Sequence, residues 1–149
     1  LRLDAPVVLE ITLPNVVGKR FLAIDLYRDG QVRTIPALTE SGWISVAELK
    51  HIWFGKAVLP YLNYQSIPLI DRPTVTGSSV RNVQKMLNKM PGVDLDATGI
   101  YDSQTISAVT QFQRQMELAP DGRVGGNTLY WLYRKSGHEI PRLYVEDEL

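Results

Sequence analysis

"DGRVGGNT", residues 121–128, places three glycines and no large apolar side chain directly ahead of "LYWLYRKSG", residues 129–137. Asp121-Gly122 favours a turn, because glycine takes positive φ without a Cβ clash and aspartate can hydrogen-bond its own backbone. Leu129, Leu132 and Tyr133 then share a face at helical spacing, which predicts a helix from near Asn127 to just before Gly137. A phosphate cradle fails on spacing. The P-loop needs Gly, four residues, then Gly-Lys-Ser/Thr, so that the lysine reaches the phosphates. Gly122 to Gly126 is one residue short of that, and Asn127 stands in the lysine's place.

The same lead-in occurs once more upstream. Gly99-Ile-Tyr-Asp-Ser-Gln-Thr105-Ile106 and Gly122-Arg-Val-Gly-Gly-Asn-Thr128-Leu129 share a glycine, a threonine six positions later and an aliphatic residue after it. Each copy predicts a glycine turn, a small polar helix cap, and a threonine whose hydroxyl meets the exposed N–H groups of the first turn. The second helix therefore starts at Asp102, with Ile106, Val109, Phe112 and Met116 on one stripe and Gln111, Gln113, Arg114 and Gln115 off it. A first helix precedes it, capped by Ser78 or Ser79. Val80, Val83, Leu87 and Met90 recur along it until Pro91-Gly92 stops it. Residues 77–137 thus read as a three-helix bundle.

Upstream the pattern is that of strands. "VVLEITL" (7–13) alternates in part, and "RFLAIDLYR" (20–28) alternates better, with Phe21, Ala23 and Asp25 on one face. Asp29-Gly30 separates it from "QVRTIPA", a hairpin signal, since both turn residues must take φ > 0. Ser45 with Glu48 has capping-box spacing and predicts a helix from Val46 to Trp53, stopped by Gly55. "AVLPYL" (57–62) predicts a further strand, with Pro60 at an edge or strand end. "SIPLIDRPTVTGSS" (66–79) reads as a linker or an extended connection, and 138–149 as a tail ending in solvated charge. The expected fold class is α+β: a small, mainly antiparallel β-rich unit over 1–70, then the bundle.

Composition narrows the function. Sixteen basic residues balance sixteen acidic ones, which argues against nucleic acid or anionic lipid as the main partner. No apolar run approaches the roughly 20 residues needed to span a bilayer. The chain starts at Leu1, without an initiating Met or a signal-peptide pattern, and is expected to be a piece of a longer protein. Without cysteine there is neither disulfide nor thiolate chemistry. His51 and His138 are the only histidines and have no partner by motif. The acid groups Asp94/Asp96 and Glu146/Asp147/Glu148 carry no spacing that specifies a glycosidase pair. Asp94, Asp96, Thr98, Gly99 and Asp102 fit positions one, three, five, six and nine of a calcium loop. Position twelve is Thr105, where a bidentate glutamate is needed, so a plain turn is the expectation, with no metal and no cofactor.

Several motifs occur together in order: Val80 with Gln84; Gly99, Tyr101, Asp102 and Thr105; Ala108-Val109 with Phe112-Gln113; and Asp121-Gly122, Gly125 and Thr128. In this, residues 77–135 resemble the small three-helix peptidoglycan-binding module found on many bacterial wall enzymes. Residues 20–59 resemble the latter half of the double-glycine cysteine-peptidase-like fold. Arg20 stands where that family has its catalytic histidine, Ile35 precedes Pro36 where it has aspartate, and no cysteine serves as nucleophile. A degenerate segment of this kind ahead of a wall-binding module is similar to the periplasmic region of the ATPase component A of type II (general) secretion. That resemblance implies a periplasmic domain of an inner-membrane protein, an ATPase domain upstream, and peptidoglycan and a secretion-system protein as partners. Self-association into a homo-oligomer stays open.

A wall glycopeptide offers hydroxyls, amides and carboxylates, and needs amide and hydroxyl donors with a cation or helix N-terminus for the carboxylate. Asp121, Arg123, Asn127 and Thr128 at the third helix's start, with Gln113 and Tyr101 beside them, form the expected ligand site. Tyr101, Phe112 and Trp131 fit a core role equally well, and Asp121-Gly122 a purely structural turn. The expected function is non-catalytic binding of peptidoglycan that positions a secretion assembly at the wall. The alternatives are a hydrolase using the bundle as a targeting module and a pure protein–protein scaffold.

Overall fold

The computed structural model describes residues 5–145. They form two compact units, residues 5–61 with 141–145 and residues 62–140.

The first unit is a sheet of order β4-β3-β2-β1-β5, built from β1 (Val7–Ile11), β2 (Arg20–Arg28), β3 (Gln31–Ile35), β4 (Trp43–Ser45) and β5 (Trp53–Val58), all antiparallel. Side chains alternate across a strand. Val7, Leu9 and Ile11 of β1 and Leu22, Ile24 and Leu26 of β2 accordingly point inward and are buried. Phe21, Ala23 and Asp25 share the opposite, outer face, where Phe21 is 62% exposed. Asp25 is gripped there by Arg33, whose Nε donates to Oδ1 at 3.0 Å and holds the carboxyl below the usual carboxylate range. Asp29 and Gly30 both take positive φ in the β2–β3 hairpin, as its tight turn requires.

Helix α1 (Val46–Ile52) closes the core through Leu49 and carries the expected capping box. Ser45 Oγ accepts from the Glu48 N–H at 3.1 Å, and the Ser45 N–H donates to Glu48 Oε2 at 2.8 Å. Its end differs from the sequence expectation. The helix stops at Ile52, and Trp53 opens β5, which passes through Gly55 and ends at Val58, short of Pro60. Leu9 pairs with Ala57 and Ile11 with Trp53, so two steps along β1 answer four along β5. Gly55, at φ +95, is thus the glycine of a bulge and not a helix stop.

The segment read as a tail contributes β6 (Tyr144–Val145), which pairs in parallel with Leu26 and Tyr27 of β2. β1 reaches only Ile24 along β2, and β3 takes the other side. The end of the long strand therefore has a free edge, and two residues suffice to fill it. So short a pairing leaves no period to read in sequence. Glu146, Asp147 and Glu148 lie outside the described residues.

The second unit packs α2 (Ser78–Leu87), α3 (Ser103–Gln115) and α4 (Gly126–Lys135) around Val80, Val83, Leu87, Val109, Phe112, Leu129 and Leu132. Asp102 caps α3 as expected, accepting from the Thr105 N–H at 2.8 Å. No serine caps α2; Gly77 occupies the cap position without a side-chain bond. α2 also ends at Leu87, before Met90, because the Asn88 side chain turns back to bond both the N–H and C=O of Leu95. The proline-bearing stretch belongs to this unit. Ile67 and Ile70 are buried, Ile70 and Val124 exchange backbone hydrogen bonds of 3.1 and 2.9 Å, and Gly77 donates to Gly99 at 2.9 Å. One extended segment thus braces the loops ahead of both α3 and α4.

Candidate ligand-binding site

Two buried glutamines organise the helical unit, one per repeat. Gln84 on α2 accepts the Gly99 N–H at 2.8 Å and shares its amide protons among Thr98 Oγ1, the Ile100 C=O and Thr105 Oγ1. Gln113 on α3 accepts the Gly122 N–H at 2.9 Å and donates to Asp121 Oδ1, the Arg123 C=O and Thr128 Oγ1. The four partners correspond one to one. Each amide clasps a glycine loop onto the helix before it, satisfying polar groups that burial would otherwise strand. The threonines serve this clasp, each accepting from its glutamine, and do not accept from first-turn N–H groups as the sequence predicted. Gln113, placed off the helix's apolar stripe by periodicity, is 2% exposed. A signal was there to be read: Val80 precedes Gln84, and Val109 precedes Gln113, by the same four positions.

Beside the second clasp opens a cleft of about 300 Å³. Asp121, Arg123, Gly125, Gly126, Asn127 and Thr128 line it, with Gln113 at the clasp and Leu69, Leu118 and Ala119 adding aliphatic surface. Five of the six residues singled out in the sequence therefore meet at one cavity. Their states differ. Gln113 and Thr128 are buried and spend their polar atoms inside the protein. Asp121, Arg123 and Asn127 are exposed. Neither the guanidinium of Arg123 nor the amide of Asn127 has a hydrogen-bond partner among the described residues. α4 starts here from Gly125 without a side-chain cap, so its first N–H groups face the cleft end.

Tyr101 is the residue that does not join them. It is 1% exposed, lies outside the cleft lining, and donates its hydroxyl to the Gly122 C=O at 2.7 Å. Burial pushes its phenol well above the ordinary range, with the charge of Asp121 adding to the effect. It is a core strut for the loop that forms the cleft. Phe112 is likewise core, at 3%.

His138 is packed, with its Nδ1 2.9 Å from Ser136 Oγ and its ring against those of Tyr64 and Tyr133, which also touch each other. Arg20 opens β2 and is exposed, and Ile35, before Pro36, is 52% exposed. Among the described residues no group of three or more His, Cys, Asp or Glu side chains is placed to hold a metal ion. The carboxylate of Asp102, which completed the calcium-like spacing, is occupied in capping α3.

The loop carboxylates make the unit acid-sensitive. The Thr105 N–H, then its hydroxyl, lowers the pKa of Asp102; the Arg123 N–H, then the Gln113 amide, lowers that of Asp121. A depressed carboxyl stabilises the fold above its unfolded value of about 3.9 and loses that contribution as pH falls through the folded value. The urea midpoint is therefore expected to hold from pH 7 to about 5 and to drop below about 4. A D102N/D121N variant, which keeps the acceptor oxygens, should show a shallower acid limb in melts from pH 2.5 to 7.

The segment that builds both clasps and most of the cleft has a known counterpart. Residues 76–132 match the family model described as "Putative peptidoglycan binding domain". The match takes in α2, α3 and α4 through Leu132, and agrees with the resemblance read from the motifs. No curated protein matches the chain. Two solved structures are similar to it. One is the periplasmic domain of the EpsAB fusion protein of the Vibrio vulnificus type II secretion system, at 18% identity and a TM-score of 0.46, over 95% of this chain and 60% of that one. The other is a peptidoglycan-binding protein from Clostridioides difficile in complex with glutamine hydroxamate, at 18% identity and a TM-score of 0.44, over 84% of this chain and 67% of that one. The chain thus spans less than two thirds of the first of these. No described helix is long and apolar enough to cross a membrane.

Proposed function

We propose that the cleft at the start of α4 binds peptidoglycan without cutting it, and that the chain, in the periplasm, holds a secretion assembly at the cell wall. The observation that carries the binding role is the cleft itself. All of its lining but Leu69 lies in the segment matched to the peptidoglycan-binding family, and it offers the unpartnered guanidinium of Arg123 and amide of Asn127 beside an uncapped helix start. Donors left free at a concave surface are what a polymer of amides, hydroxyls and carboxylates requires. Support for a non-catalytic role comes from the first unit, where Arg20 and Ile35 stand in place of the histidine and aspartate of the peptidase-like pattern. The secretion role rests on the resemblance of the degenerate segment plus wall module to component A of type II secretion.

Co-sedimentation with purified sacculi tests the reading. The native chain should pellet with them and release no soluble muropeptide, and R123A/N127A should lose at least tenfold in apparent affinity while keeping its helical circular dichroism. Release of fragments would identify a hydrolase. Failure to sediment, with capture of a purified secretion-system protein, would leave scaffolding as the role.

A further inference from the structure

The two repeats differ in a way that points to a ligand. Position by position, the second clasp has Asp121 where the first has Thr98, and Arg123 where the first has Ile100. Both versions do the same structural work. Thr98 Oγ1 accepts from its glutamine and from the Ile100 N–H at 3.1 Å, just as Asp121 Oδ1 accepts from its glutamine and from the Arg123 N–H at 2.9 Å. A neutral hydroxyl and an aliphatic side chain are therefore sufficient to close the loop. The opposite charges of the second copy are thus not required to close the loop, and both line the cleft.

We propose that this charge pair makes the cleft a reader of the peptide stems of the wall polymer, a short chain carrying both a free carboxylate and an ammonium group, and not of its glycan strands. The inference rests on the peptidoglycan-binding reading above. Arg123, with its donors free, takes the carboxylate; Asp121, ionised through the physiological range, faces the ammonium group; Leu69, Leu118 and Ala119 take small methyl side chains. The glycan supplies none of these charges, since its lactyl carboxyl is spent in the amide to the stem. The cleft also lacks what a pyranose face asks for, because no aromatic side chain lines it. A groove of about 450 Å³ beside the first repeat overlaps the cleft only in part: Leu95, Ser103 and Gln104 stand where the second repeat has Leu118, Gly126 and Asn127, neither Thr98 nor Ile100 lines it, and it carries Asp94 without a cationic side chain.

Two measurements test it. Glycan strands freed of their stem peptides by an amidase should compete with intact sacculi for the chain at least tenfold more weakly than soluble muropeptides do. In calorimetric titration, the synthetic peptide alanyl-γ-glutamyl-lysyl-alanine should bind, and its C-terminal amide should lose at least fivefold in affinity. The variant D121T/R123I carries the first repeat's own residues, so it should fold and yet lose peptide binding at least tenfold. Equal competition by stem-free glycan strands and by muropeptides would overturn the stem assignment while leaving wall binding in place. No binding to intact sacculi would overturn the wall-binding reading and the stem assignment with it. Should D121T/R123I fail to fold, the charges are structural and the inference falls.

Discussion

Replacing Gln84 with leucine is expected to destabilise the helical unit by about 3 kcal/mol, far more than the change in side-chain size suggests. Leucine fills similar space but leaves the Gly99 N–H buried with no acceptor, and removes a donor from the Ile100 C=O and Thr105 Oγ1. A buried donor stranded in this way costs about 1–3 kcal/mol, and the remaining bonds contribute about 1 kcal/mol each. Thr105 keeps its bond to Asp102, so the loss stops short of the full sum. Because the chain forms two units, the midpoint should be followed by a probe within the second, such as the amide resonances of α2 to α4. Gly99 supplies a sharper readout. Its amide should exchange slowly in the native chain and approach the exposed-loop rate in the variant. Persistent protection there would contradict the clasp.

The second large effect is expected at the glycine itself. Gly99 has φ +81, and a Cβ built on it would lie 2.9 Å from the Gly77 carbonyl oxygen, a backbone atom hydrogen-bonded in place. Alanine there meets both a left-handed backbone, at about 1–2 kcal/mol, and a clash that only a shift of the α2 lead-in relieves. A loss of about 3 kcal/mol in urea stability is expected for G99A. Two other glycines calibrate the figure. At Gly122 the nearest atoms, Ile106 Cγ2 and Thr110 Oγ1, both at 3.0 Å, belong to side chains that have some room to give. At Gly137, φ +85, nothing lies within 4 Å and only the dihedral strain remains, about 1 kcal/mol. The order G99A, then G122A, then G137A is thus the expected ranking. Equal losses at all three would mean that backbone strain alone, and not the approach of Gly77, governs the first.

Much of this architecture was legible in the sequence wherever a periodic or local rule decided it. The Asp29-Gly30 turn, the Ser45–Glu48 box and the Asp102 cap each need only a few neighbouring residues, and each is present. What escaped was decided at longer range. Ser78 and Ser79 look like caps, yet Gly77 holds that place because its N–H is engaged by Gly99, across the loop. Gly55 looks like a helix stop, yet β1 draws the chain straight from α1 into a bulged strand. Gln113 looks solvent-facing by helical phase, yet a buried glutamine is stable once four partners converge on it. The cleft was legible for a similar reason in reverse. Asp121, Arg123, Asn127 and Thr128 are close neighbours along the chain at a helix start, so their meeting needed no tertiary knowledge. Tyr101 lies two positions before the start of α3, where local rules could have pointed it either way, and its hydrogen bond to the Gly122 C=O holds it in the core.

The two additional residues that β5 carries opposite β1 matter for how the protein behaves in concentrated solution. β5 is the last strand in its row, and such a border is an invitation for a neighbouring molecule to continue the ladder. The kink at Gly55 breaks the even spacing of outward N–H and C=O groups, and Lys56 next to it sets a positive charge on the rim. Straightening that border, by deleting two residues around Gly55 and replacing Lys56 with valine, should make the unit polymerise through its sheet, read as a rise in sedimentation coefficient with protein concentration.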